Sequence, residues 1–281
     1  MTLINLFTPG VGWESFDFDS EAIKAEFEKR DIKVGSRASI GSRASIGDGA
    51  SIGDGASIGD GASIGSRASI GDGASIGDGA SIGYGASIGS RAYIGDGASI
   101  GDGASIGYGA YIGSRASIGD GASIGYGASI GYGASIGDGA SIGYGASIGS
   151  RAYIGSRASI GSRASIGDGA SIGYGASIGD GASIGYGASI GYGASIGDGA
   201  RPKTLFICGS VHGVNWFSTG VIHIGCQKHT VAEWLEKYEA IGFAADYTPE
   251  QIAEYKSYID FCAVLQAAED LKTETLKTEE A

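Results

Sequence analysis

The chain has 281 residues, 55 of them Gly and only three Pro, and its net charge is −12. That charge balance, with no basic stripe anywhere, excludes ordinary nucleic-acid binding. No apolar run approaches the ~20 residues of a membrane span, so no membrane insertion is expected.

Residues 1–33 read as an N-terminal α/β cap. Leu3, Ile4, Asn5, Leu6 and Phe7 suit a strand, Pro9–Gly10 a turn, and a short helix follows. Asp19 or Ser20 is the expected N-cap, with Ile23 and Phe27 as an i, i+4 apolar pair. No basic start leads into an apolar run as in a signal peptide, so the three Cys are expected as reduced thiols. The expected setting is the cytoplasm or an intracellularly assembled particle.

From Val34 to Ala200 one six-residue unit recurs without insertion or deletion: Ile-Gly-Asp/Ser/Tyr-Gly/Arg-Ala-Ser/Tyr. Numbered from Ile as position one, it puts the main apolar residues at positions one and five. Six is a multiple of the strand period of two and not of the helical 3.6, so the Ile positions cannot share one helix face. The glycines disfavour a helix again, at about 1 kcal/mol each. Ala-Ser-Ile therefore predicts a short strand with Ala and Ile inward and Ser outward, and the residue before Ala predicts a turn at φ > 0. Each unit can bury its apolar side only against its neighbours, which is the logic of a solenoid.

The repeat resembles the hexapeptide-repeat proteins over residues 34–200. The resemblance implies a left-handed parallel β-helix, triangular in section, with three hexads to a coil and about nine coils. Left-handedness comes from the resemblance alone, since ordinary parallel crossovers are right-handed in roughly 98% of cases. Stepping by the implied 18 residues stacks the turn residues in columns. One column reads Arg91, Tyr108, Tyr126, Tyr144, Arg163, a candidate recognition surface for a protein or glycan partner. Others hold Asp60, Asp78 and Asp96, bounded by Arg43 and Arg115, and Asp102, Asp120 and Asp138, followed by Arg157. In these, Asp and Arg are expected to satisfy one another between coils.

After Ala200 the composition changes. Residues 201–228 predict a β-meander with strands at Leu205–Cys208, Asn215–Phe217 and Val221–Ile224, parted by Gly209–Ser210 and Thr219–Gly220. Residues 229–272 predict a helical hairpin. Thr230 with Glu233 and Thr248 with Gln251 are capping boxes, Val231, Trp234, Leu235 and Tyr238 face the core, and the first helix ends near Gly242. Ile252, Tyr255, Ile259 and Cys262 make the second buried stripe, and residues 273–281 read as a frayed polar tail. This end resembles a terminal module that follows hexapeptide arrays in uncharacterised phage or prophage proteins. Trp216, Phe217 and Trp234 are candidates for a binding pocket in it. His223, Cys226 and His229 have ligand-like spacing for zinc, with Cys208 or His212 as the fourth ligand, although strand alternation sets His223 and Cys226 on opposite faces. No other cofactor is expected.

Residues 34–200 contain no His, Lys, Cys, Glu or Trp. Hexapeptide acyltransferases use a His on the solenoid or on a loop extruded from it, and carbonic anhydrases of this fold bind metal through solenoid histidines. Neither arrangement exists here. The expectation is a non-enzymatic structural or binding protein: a rigid rod displaying Tyr, Asp and Arg columns, phage-associated and able to form homo-oligomers. The alternative is an acyltransferase-like enzyme using the C-terminal His/Cys segment. Ice binding by the Ser ranks and DNA mimicry by the acidic surface are further alternatives.

Overall fold

The computed structural model describes residues 2–8, 11–199, 204–218 and 220–279, with the side chains of 204, 206 and 272–279 left aside. The N-terminal cap is a hairpin, β1 (Leu3–Thr8) and β2 (Gly12–Asp17), followed by α1 (Ala22–Lys29). Reading the sequence missed β2, and the expected Pro9–Gly10 turn lies outside the described residues. The N-cap of α1 is Glu21, with no side-chain cap. Ser20 instead donates its hydroxyl to the Asp17 carbonyl at 2.7 Å. Strand β1 pairs in parallel with Ser45–Ile46, so the fully buried Ile4 and Leu6 continue the solenoid's apolar interior past its first coils.

The solenoid strands, β3 (Lys33–Val34) to β30 (Ser195–Ile196), are two residues each, one to a hexad. Each pairs in parallel with the strand eighteen residues on, as Ser57 with Ser75 and Ile58 with Ile76. The result is three sheets of eleven, nine and ten strands, the largest including β1 and β2. It is a left-handed parallel β-helix of about nine coils. Two-residue strands joined by bare turns lack the long helical crossover on which the right-handed rule depends. Every Ile from Ile40 to Ile196 is at most 5% exposed, and the Ala before each strand from Ala44 on is buried with it, while Ser points outward. The predicted facing is observed.

At each corner the backbone turns through φ > 0 at position four. Gly103 does so at φ 64°, where a left-handed conformation costs Gly nothing. Arg does so too, as at Arg67 (φ 60°) and Arg115 (φ 59°), at a cost of about 1–2 kcal/mol each. The long side chain supplies compensation. The Arg67 guanidinium lies 5.6 Å from the centre of the Tyr84 ring and donates to the Tyr84 hydroxyl at 2.6 Å, and Arg115 donates to Tyr132 at 2.8 Å.

The C-terminal module is an antiparallel sheet in chain order, β31 (Thr204–Cys208), β32 (Gly213–Phe217), β33 (Val221–Ile224) and β34 (Gln227–Thr230), then α2 (Val231–Ala244) and α3 (Pro249–Glu279). The fourth strand occupies residues that the sequence assigned to the end of the meander and the start of the hairpin. Of the turns expected between strands, Thr219 lies outside the described residues. The capping boxes form: the Glu233 N–H donates to Thr230 Oγ1 at 3.2 Å and that of Gln251 to Thr248 Oγ1 at 3.3 Å. Val214, Trp216, Ile222, Ile224 and Trp234 pack with Tyr255, Ile259 and Cys262 as one core. Leu235, expected in it, is exposed. Helix α2 runs through Gly242, whose missing side chain admits Ile252: a Cβ there would lie 2.7 Å from Ile252 Cγ1. Helix α3 continues to Glu279, past the expected end of the hairpin.

Candidate active site

On the solenoid surface the Asp columns do not pair with Arg as expected. Each carboxylate accepts the backbone N–H one coil earlier: Asp60 donates to Asp78 Oδ1 at 2.8 Å, Asp78 to Asp96 at 3.1 Å, Asp102 to Asp120 at 2.8 Å and Asp120 to Asp138 at 3.0 Å. The main-chain N–H of Arg115 bonds the Asp96 carbonyl and that of Arg157 the Asp138 carbonyl. A short side chain that folds back on backbone reaches this N–H; a guanidinium extended toward a neighbouring ring does not bring its charge to the carboxylate.

The Tyr column assembles in the expected order. Tyr108 and Tyr126 stack at 5.1 Å between centroids and Tyr126 and Tyr144 at 5.3 Å. Arg91 covers the outer face of the stack at Tyr108, 5.6 Å from the ring centre, and Arg163 lies 6.0 Å from that of Tyr144. The ring faces are therefore spent on one another and on the guanidinium groups. What the column presents outward is hydroxyls and ring edges.

In the C-terminal sheet, alternation separates several of the residues singled out above. Trp216 and Trp234 are core, their indole N–H groups bonded to Gln266 at 3.2 Å and to the Ile222 carbonyl at 2.8 Å. Phe217, next to Trp216 on the strand, takes the opposite face and meets His223 edge-on at 5.1 Å. The sheet thus separates Phe217 from Trp216 and Trp234, which share the core. The expected zinc set is dispersed as well. His223 is buried on the Phe217 face, His229 packs edge-on against Trp234 at 5.1 Å, and Cys208 and Cys226 are exposed. Among the described residues no group of three His, Cys, Asp or Glu side chains could hold a metal ion. Burial, aided by Lys228, pushes the His223 imidazole down to about 4. Burial likewise pushes the Cys262 thiol up to about 11.

His212 and Cys226 do come together, around a cavity between sheet and helices. It has about 80 Å³ of space open to water-sized molecules, walled by Trp234, Ile241, Ile252 and Ile259, with His212, Cys226 and Tyr247 also lining it. His212 follows β31 in a loop tied down by α3. Glu254 accepts the N–H of Ser210 at 2.8 Å and its hydroxyl at 2.5 Å, contacts that hold its carboxyl below the usual range. The Tyr255 hydroxyl accepts the Val211 N–H at 3.0 Å and donates to the His212 carbonyl at 2.7 Å. The imidazole itself lies parallel to the Tyr247 ring at 5.9 Å, with Nδ1 hydrogen-bonded to the Tyr247 hydroxyl. Burial and the neighbouring Tyr255 raise that phenol to about 12, so it keeps its proton. Gly225, at φ 56°, opens the β33–β34 turn and lets the ring lie against backbone, since a Cβ there would be 2.8 Å from His212 Cδ2. Tyr247 and Gly225 escaped the sequence reading: Tyr247 stands 35 residues from His212, with no spacing motif to connect them.

Two family models match the array. One is described as bacterial transferase hexapeptide (six repeats), over residues 31–66, 55–90 and 145–179. The other, hexapeptide repeat of succinyl-transferase, covers residues 80–114, 115–150 and 175–201. Residues 31–201 have the hexapeptide-repeat left-handed β-helix fold. Solved structures with similar hexapeptide coils include the UDP-N-acetylglucosamine O-acyltransferase of Moraxella catarrhalis RH4, at 20% identity and a TM-score of 0.30, over 57% of this chain and 65% of that one. The acyltransferase of Bacteroides fragilis 9343 matches at 20% and 0.29, over 54% and 66%, and that of Francisella novicida at 19% and 0.26, over 80% and 76%. The chain thus spans just under two thirds of the length of the first two. By sequence, no curated protein matches it.

The hexapeptide matches overturn the expectation of a non-enzymatic structural protein or binding scaffold, because both models describe transferase repeats. The phage association falls with that expectation, on the same transferase-repeat matches. All three histidines of the chain, His212, His223 and His229, lie after the array. Among the described residues no helix is long and apolar enough to cross a membrane.

Proposed function

We propose that this chain is an acyltransferase of the hexapeptide class whose chemistry lies in the C-terminal module, with His212 as general base. The observation that carries the reading is His212 held at an apolar cavity, in a chain whose array matches transferase hexapeptide models. His223 is buried and His229 is packed on Trp234, which leaves His212 for the role.

The reaction is acyl transfer from a thioester to a hydroxyl or amine. In the general-base role the His212–Tyr247 bond runs from Nδ1–H to the phenol oxygen, the tautomer that leaves the Nε2 lone pair free to act as base. Nε2 takes the acceptor's proton as its oxygen or nitrogen attacks the thioester carbonyl. The tetrahedral intermediate then collapses, the C–S bond breaks, and the leaving thiolate takes the proton back from the imidazolium. Tyr255 and Glu254 act as positioning residues, since they hold the loop and touch no reacting atom.

The test is turnover of acetyl coenzyme A with a panel of sugar and amine acceptors. His212→Ala should lower kcat by about 10²–10⁴, while His229→Ala should leave it within twofold. No transfer by the unaltered protein from any thioester, or full turnover by His212→Ala, would overturn the proposal.

A further inference from the structure

We infer that the cavity beside His212 receives the acyl group of the donor and selects short, uncharged chains over dicarboxylic ones such as succinyl. This deepens the acyltransferase reading and rests on it. The first ground is charge. Among the described residues the lining includes no Lys or Arg, so a carboxylate carried into the cavity would lose its water with no permanent cation to pair with. An alkyl chain would meet Trp234, Ile241, Ile252 and Ile259. Each methylene buried there should raise kcat/KM about fourfold.

The second ground is size. About 80 Å³ of cavity accommodates roughly five to eight methylene-sized groups, taking for each about 10–15 Å³, the space that one water needs. Gly242 brings α2 close to the Ile252 side chain of α3, where an added Cβ would lie 2.7 Å from Cγ1, so the two helices pack tightly along this wall. The third ground is polarity at the lining. His212 and the Tyr247 hydroxyl are among the polar groups at the lining, with Gln227 and Tyr255, and a thioester carbonyl would sit beside them with its chain against the apolar walls.

The experiment compares acetyl-, butyryl-, hexanoyl-, decanoyl- and succinyl-coenzyme A with one acceptor. The expected kcat/KM climbs by about fourfold per methylene toward hexanoyl and falls at decanoyl. Succinyl should lie at least 100-fold below butyryl. Ala245→Leu, which adds bulk to the lining, should move the optimum to a shorter chain. Equal use of succinyl and butyryl, or a length profile that Ala245→Leu leaves unmoved in a folded protein, overturns the inference. Binding of valeramide and succinamate, followed by the amide resonances of Gly225 and Gly242, separates this from the acyltransferase reading. If no thioester turns over but valeramide shifts both resonances and succinamate shifts neither, the enzymatic reading fails and the cavity's selection stands. If valeramide shifts neither, the selection is refuted whatever the turnover.

Discussion

Two glycines of one corner, Gly101 and Gly103, should respond very differently to a methyl group. At Gly101, position two of its hexad, a Cβ would lie 2.6 Å from the backbone N of Asp120 and 2.7 Å from the carbonyl carbon of Gly119. The obstacle is main chain of the next coil, held by hydrogen bonds on both sides, so Gly101→Ala must pry two coils apart. Overpacking of this kind costs about 1–3 kcal/mol or more, and loss of the Gly101 N–H bond to the Ile118 carbonyl, 2.8 Å long, adds about 1 kcal/mol. We expect roughly 3 kcal/mol in all. At Gly103 nothing lies within 4 Å of the added atom, and the only penalty is φ 64°, about 1–2 kcal/mol. Urea unfolding followed by far-ultraviolet circular dichroism, with hydrogen exchange at the 101–120 interface, measures both. Solenoid stability is a sum of neighbour terms, so the damage should centre on the coils that meet there. If Gly103→Ala proves as costly as Gly101→Ala, the clash argument is wrong and backbone conformation alone governs the corners.

The Asp ladder predicts that Asp78→Ala costs about 1 kcal/mol by orphaning the Asp60 N–H, whereas Asp78→Asn, which keeps an acceptor oxygen, costs less than half as much in the same urea assay. Tyr126→Ser removes the middle ring of the closed stack; it should leave the circular dichroism spectrum unchanged and cost about 1–2 kcal/mol. His223 predicts acid sensitivity. Its imidazole is pushed down to about 4 in the fold against about 6.5 unfolded, so the unfolded chain binds the extra proton between those values. Stability should be fully present above pH 6.5 and decline by on the order of 3 kcal/mol as pH falls to 4. His223→Gln should flatten that part of a stability-against-pH curve, and an unchanged slope would refute the assignment.

The residues by themselves determined that Ile and Ala share one interior, because a period of six keeps both on the inward side of every short strand, while the left hand and three hexads to a coil came from the family resemblance. With the 18-residue step that the resemblance implies, the sequence also placed the Tyr108–Tyr126–Tyr144 stack with its Arg91 and Arg163 ends, since position along the chain then fixes the column. It placed the two capping boxes for the same reason. What it could not weigh was competition for partners: the position-three N–H outbids Arg for the Asp carboxylates only once the coil's backbone geometry is known. Only the tertiary structure decided the C-terminal site. His212 was legible as a candidate, but its orientation comes from Tyr247, Tyr255 and Glu254, on and beside a helix 35 to 43 residues further along the chain. The same sheet sends Phe217 and His223 to one face and Trp216 and His229 to the other, which dissolves both the aromatic pocket and the metal set. Periodic contacts are fixed by spacing along the chain. A site assembled from unlike elements is fixed by how those elements pack, and no local pattern in the residues encodes it.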